Sequence, residues 1–155
     1  MKPTTTSDIG MGETPAYAPG NPAPWRGSFS GTIAVDSNGA ASFSGAGQAA
    51  HLGRLTSQGH VVFTNAPVTR AGDIPHDDYE TLTFANGDSF TIVGHDVACP
   101  SGPKQYDCSG NWEVVPGSGR GRLTGATGHG TFKGHSDYDQ GVFEIELAGT
   151  ISTGE

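Results

Sequence analysis

The residues able to do chemistry in this chain are its carboxylates, six histidines and two cysteines. Asp96 stands out because it follows Phe90, Ile92 and Gly94 at a spacing of two, the apolar face of a strand. A carboxylate on that face must be paired, hydrogen-bonded or protonated, because an isolated buried charge is too costly. Asp96 is therefore the candidate catalytic residue, able to move a proton or to orient a polar ligand group. The alternative is a place near the strand end, where the carboxylate meets water or a backbone amide. His95 points to the opposite face, so the two form no dyad within one strand.

The other histidines argue against a metal. His129 and His135 share a face but lie about 20 Å apart along an extended strand, at about 3.3 Å per residue. His76-Asp77-Asp78 falls in an irregular stretch, as a cation site or simply as solvated loop charge. Asp137-x-Asp139-x-Gly141 lacks the further ligands and the glycine position of an EF-hand loop, so hairpin turn chemistry explains it better. The chain has no GxSxG, HExxH or P-loop pattern, and no histidine is placed as the base of a serine. Neither a metal nor a cofactor is expected.

Cys99 and Cys108 close the segment CPSGPKQYDC, a Pro/Gly loop between two strands that is suited to a disulfide. Two plain thiols are the alternative, since the spacing matches no common zinc pattern. A disulfide would favour an extracytoplasmic over a cytoplasmic home. No signal-peptide core follows Met1, so a secreted chain would have lost its leader.

The elements that must position these groups are strands. With 25 glycines and 10 prolines but no collagen period, and short apolar runs throughout, the composition favours an all-β domain over disorder. Residues 1–24 carry five prolines and no periodicity, and read as a flexible N-terminal arm. Trp25 marks the start of an ordered domain over 25–155. Phe29, Gly31, Ile33 and Val35 then fall on one parity; Asp36–Gly39 supplies a hairpin turn, and Ala41, Phe43 and Gly45 continue the apolar face. His51–Gly53 makes a corner before Leu55, Ser57, Val61 and Phe63. Asn65–Asp78, with Pro67, Gly72 and Pro75, is the longest irregular connection and is expected to lie over one barrel mouth. Asn86-Gly87 joins two further strands, Trp112 and Val114 mark a sixth, and Phe143, Ile145, Leu147 and Ile151 mark the eighth.

Eight strands joined without a helix predict an antiparallel up-and-down β-barrel, with a β-sandwich as the alternative. Such a barrel is either filled by side chains or holds one small ligand. The predicted lining is Phe29, Phe43, Phe63, Phe84, Phe90, Ile92, Trp112, Phe132 and Phe143. Inward glycines such as Gly94 and Gly134 would leave that interior under-filled.

The seventh strand is announced by Pro116–Gly134, PGSGRGRLTGATGHGTFKG, in which a glycine-rich corner passes into the alternation of Gly130, Phe132 and Gly134. The Gly-Arg-Leu-x-Gly-Ala-x-Gly corner resembles the turn before the penultimate strand of allene oxide cyclase-like and dirigent-like β-barrels, which include bacterial spirotetronate cyclases. The resemblance implies a barrel that holds an apolar, reactive substrate and lets it cyclise, by conformational restriction and a few polar groups. It carries over no catalytic residue. Three readings follow: a barrel that binds an apolar small molecule, a cofactor-independent cyclase or isomerase acting on a polyketide- or lipid-like substrate in the same pocket, and a structural or assembly module. Barrels of this type often form dimers or trimers.

Charge narrows the partners. A net charge of −8, with eight scattered Lys and Arg, argues against nucleic acid. No apolar run is long enough for a membrane-spanning helix.

Overall fold

A computed structural model of the chain describes residues 21–153. The proposed arm over 1–24 lies almost wholly outside the described residues, and its last two residues, Ala23 and Pro24, already belong to the first strand. Eight strands follow in chain order: β1 (Ala23–Val35), β2 (Ala41–Ala49), β3 (Gly53–Phe63), β4 (Ile74–Phe84), β5 (Ser89–Gly102), β6 (Gln105–Val114), β7 (Thr127–Asp137) and β8 (Val142–Ser152). Each pairs antiparallel with the next, and β8 pairs with β1, so the sheet closes as an up-and-down barrel. Closure leaves no unpaired edge, which settles the choice against a sandwich. Among the described residues no helix is long and apolar enough to cross a membrane.

The turns follow their chemistry. Asp36 Oδ1 accepts from the amides of Asn38 and Ala40, Asn86 Oδ1 from Asp88, and Asp137 Oδ1 from Asp139 and Gln140. Gly87 adopts φ +94°, as its hairpin requires. The glycine-rich corner is a short 3₁₀ turn, Gly121–Leu123. Asp88 receives both the amide and the Nε–H of Arg122 at 3.2 Å, tying this corner to the β4–β5 hairpin.

The two ends of the barrel differ. One is packed solid: Trp25 stacks edge-on against Phe90 and Trp112, with centroids 6.1 and 5.6 Å apart, among Leu82, Phe84, Leu123, Leu147 and Ile151. Each of these large side chains contributes about 1.5–3 kcal/mol on burial. Trp112 Nε1–H also donates to the carbonyls of Thr131 and Ala148, whereas the buried Nε1 of Trp25 has no hydrogen-bond partner. The other end is open.

Several expectations are corrected. Asn65–Asp78 is not all loop: β4 begins at Ile74, with Pro75 near the strand start, where a missing amide is tolerated. The remaining connection, 64–73, joins the ends of β3 and β4 at the open end. A Cβ on its Gly72 would lie 3.9 Å from Pro100 near the end of β5, and none of its residues lines the cavity. The disulfide is absent. Both cysteines are free, because the register sets Cys108 opposite Ala98 and Cys99 opposite Asp107, placing the two side chains on opposite faces of the sheet. Nor do the inward glycines make the void. A Cβ on Gly94 would lie 2.6 Å from the Phe132 ring, and one on Gly31 would strike the Ser44 carbonyl. These glycines permit close approach of neighbouring groups.

Candidate functional site

The open end leads into a cavity of about 470 Å³. Its wall is made of small side chains at Ala41, Ala98, Cys108 and Ser136, and of aromatic ones at Phe43, Phe132, Phe143, Tyr106 and Tyr138. Val35 and Phe63 stand exposed on the rim. Tyr106 and Tyr138 meet edge-on at the mouth, 5.9 Å between centroids. A second depression, of about 620 Å³, lies over Ser28, Gln48, Lys133 and Glu146, and gathers no buried polar group.

Of the nine predicted lining residues, Phe43, Phe63, Phe132 and Phe143 line the cavity. Phe84, Phe90, Ile92 and Trp112 lie in the plug, and Phe29 packs behind the wall against Phe143. Alternation puts all nine on one face of the sheet, but not at one depth of the barrel. Phe63, at the last residue of β3, is 63% exposed.

One face of β4 descends the cavity as Ile74, His76, Asp78 and Glu80, and then enters the plug as Leu82. His76 and Asp78 are thus strand residues with buried side chains, not solvated loop charge. Their pairing with β5 places His76 opposite Asp96 and Asp78 opposite Gly94. Asp77, between them, faces outward and meets His95 Nδ1 at 3.0 Å. Asp96 is buried, as its parity implies, and the histidine of the neighbouring strand approaches it.

The geometry converges on one point. His76 Nδ1 lies 3.1 Å from the Ile74 carbonyl, which can only accept, so this nitrogen carries the proton. Nε2 then points at Asp78 Oδ2, 3.3 Å away, and at Asp96 Oδ2, 3.4 Å away. The second contact is an ion-pair approach: neither oxygen of Asp96 has a hydrogen-bond partner, although its side chain is wholly buried. Glu80 Oε1 is likewise buried without a partner. Its carboxyl group occupies the space that a Cβ on Gly59, directly across the strand pair, would need.

Electrostatics follow from burial. Desolvation would lower the His76 pKa, but the close approach of the Asp78 and Asp96 carboxylates outweighs it and raises it. Desolvation, with the Asp78 charge, pushes Asp96 up and lifts Glu80 to about 8. Burial first, then the neighbouring carboxylates, pushes the Cys108 thiol up to about 12, so it is inert at neutral pH. The remaining histidine pair of note, His135 with Asp107 at 2.7 Å, lies on the outside.

No family model, curated protein or solved structure matches this chain. The site is therefore read from its own residues. Glu80 was not singled out in the sequence, and its signal was parity: Leu82 and Phe84 extend backwards through Glu80, Asp78 and His76 at a spacing of two.

Proposed function

We infer that the chain is a binding barrel that takes an apolar small molecule through its open end. The observation that carries this reading is the one-ended cavity, closed below by the Trp25–Phe90–Trp112 plug and walled mainly by aromatic and small apolar side chains. A volume of about 470 Å³ is within the range of small-molecule sites, which bury an apolar body and fix it with a few polar groups. The exposed Val35 and Phe63 give such a ligand an apolar threshold.

The test is saturable binding of a neutral fluorescent probe, N-phenyl-1-naphthylamine. Wild-type protein is expected to bind it at one site, and Ala98→Leu, which enlarges a small lining side chain, to bind it far more weakly while keeping the barrel. Absence of saturable binding, or equal binding by the filled variant, would count against the reading.

The second reading is a cyclase or isomerase, favoured by the polar groups that line the cavity beside the apolar wall. An apolar substrate held there would have its reactive end beside His76 and Asp78, and confinement would supply much of the rate. The resemblance of the glycine corner to allene oxide cyclase-like barrels points the same way. Turnover of a linear polyketide- or lipid-like substrate, lost on filling the cavity with Ala98→Leu, distinguishes an enzyme from a carrier.

A further inference from the structure

We propose that His76, Asp78 and Asp96 form a binding site for a single divalent transition-metal ion, held through His76 Nε2 and one oxygen of each carboxylate. The three donor atoms lie within 4.8 Å of one another. The two histidine-to-carboxylate separations, 3.3 and 3.4 Å, are close to the edge of a tetrahedron whose centre is about 2.0–2.2 Å from nitrogen and oxygen ligands. The remaining edge, between the two carboxylates, is no longer than 4.8 Å.

Three further observations point to a cation. The Ile74 carbonyl holds the Nδ1–H of His76, which fixes the ring and leaves Nε2 aimed at the two carboxylates; ligating histidines are oriented by this kind of outer bond. His76 Nε2 and one oxygen of each carboxylate therefore face a common point between the two strands. Neither oxygen of Asp96, 4% exposed, has a hydrogen-bond partner; Oδ2 has only the ion-pair approach of His76 and Oδ1 has none, and the glycines around it preserve its niche. A Cβ on Gly110 would come within 2.9 Å of Asp96 Oδ1, and one on Gly94 within 3.0 Å. Glu80, 2% exposed and next inward on β4, adds another unpartnered oxygen on the same wall.

The donor set contains one nitrogen and two carboxylate oxygens. It suits Zn²⁺, Mn²⁺, Fe²⁺ or Co²⁺ and disfavours soft ions that demand thiolate. His76 and Asp78 face the cavity, so a fourth position is open to water or to a polar atom of a bound molecule. This site stands independently of the apolar-ligand reading, and each has its own readout.

The experiment uses the full chain, stripped with chelator and titrated calorimetrically with Zn²⁺ alone. Wild-type protein is expected to bind one equivalent with a rise in melting temperature. Asp96→Asn and His76→Asn should each weaken that binding at least about 100-fold while circular dichroism retains the strand signature. His95→Asn, on the outer face beside Asp77 and Glu113, should leave it unchanged. On unmutated protein, imidazole ¹⁵N spectra should show His76 Nε2 taking the metal while Nδ1 keeps its proton. Failure to bind one equivalent, equal affinity in Asp96→Asn, or a His76 ring unmoved by Zn²⁺ would each overturn the proposal, whatever the fate of naphthylamine binding.

Discussion

Replacing Glu80 by glutamine should stabilise the ion-free protein, increasingly so as the pH rises. Glutamine keeps the shape and the buried polar atoms but has no proton to release. Burial and the Asp78 charge lift the Glu80 pKa from its ordinary 4.5 to about 8. The folded protein therefore holds a proton that the unfolded chain releases between these values. With the folded pKa raised, stability is fully present below about 4.5 and is lost as the pH climbs towards 8. At pH 7 the penalty is roughly 1.4 kcal/mol for each of the 2.5 pH units above 4.5, or about 3 kcal/mol. For a domain of this size that corresponds to a melting-temperature gain of about 10 °C. Urea unfolding of both proteins at pH 4.5, 7 and 8.5, with chelator present, reads the effect directly. The two stabilities should nearly coincide at the lowest pH and diverge by about 3 kcal/mol at neutrality. Parallel pH profiles would refute the assignment of Glu80 as a proton-holding buried acid.

Three other outcomes are expected. Intact mass should be the same with and without reductant, and Cys108 should resist alkylation until the protein is unfolded, because its thiol is half-buried and strongly held in the protonated form. Trp112→Phe should cost about 2–3 kcal/mol in chemical denaturation, from lost volume in the plug and two carbonyls left without the indole donor. Gly94→Ala should cost about 1–3 kcal/mol and disturb the cavity wall, since its Cβ would press on the Phe132 ring edge at 2.6 Å.

Period-two alternation exposed the eight strands and their inward face, and on that face it exposed Asp96. It could not show depth. Phe43 and Trp112 share a parity, yet one lines the cavity and the other closes its base, a distinction set by the stagger between strands. Pro75 and the run His76-Asp77-Asp78 carry loop composition, and only pairing with His95 and Asp96 across the β4–β5 ladder makes them a strand. The same ladder builds the polar cluster, so its members could not be joined from either segment alone. Cys99 and Cys108 looked suited to bonding across a hairpin, but a register one residue different from the required one turned their side chains apart. Glycine was legible as a bend and misleading as empty space, because at Gly94 a neighbouring ring already fills the room.

The most direct test of the central claim is an amide NMR titration of the protein with a small neutral aromatic probe such as indole. A ligand that enters the open cavity should shift Phe43, Ala98, Cys108 and Ser136 in a saturable manner and leave Trp25, Leu82 and Ile151 in the plug undisturbed. Shifts confined to the outer face, or no saturable shifts at all, would contradict a barrel built to hold an apolar molecule.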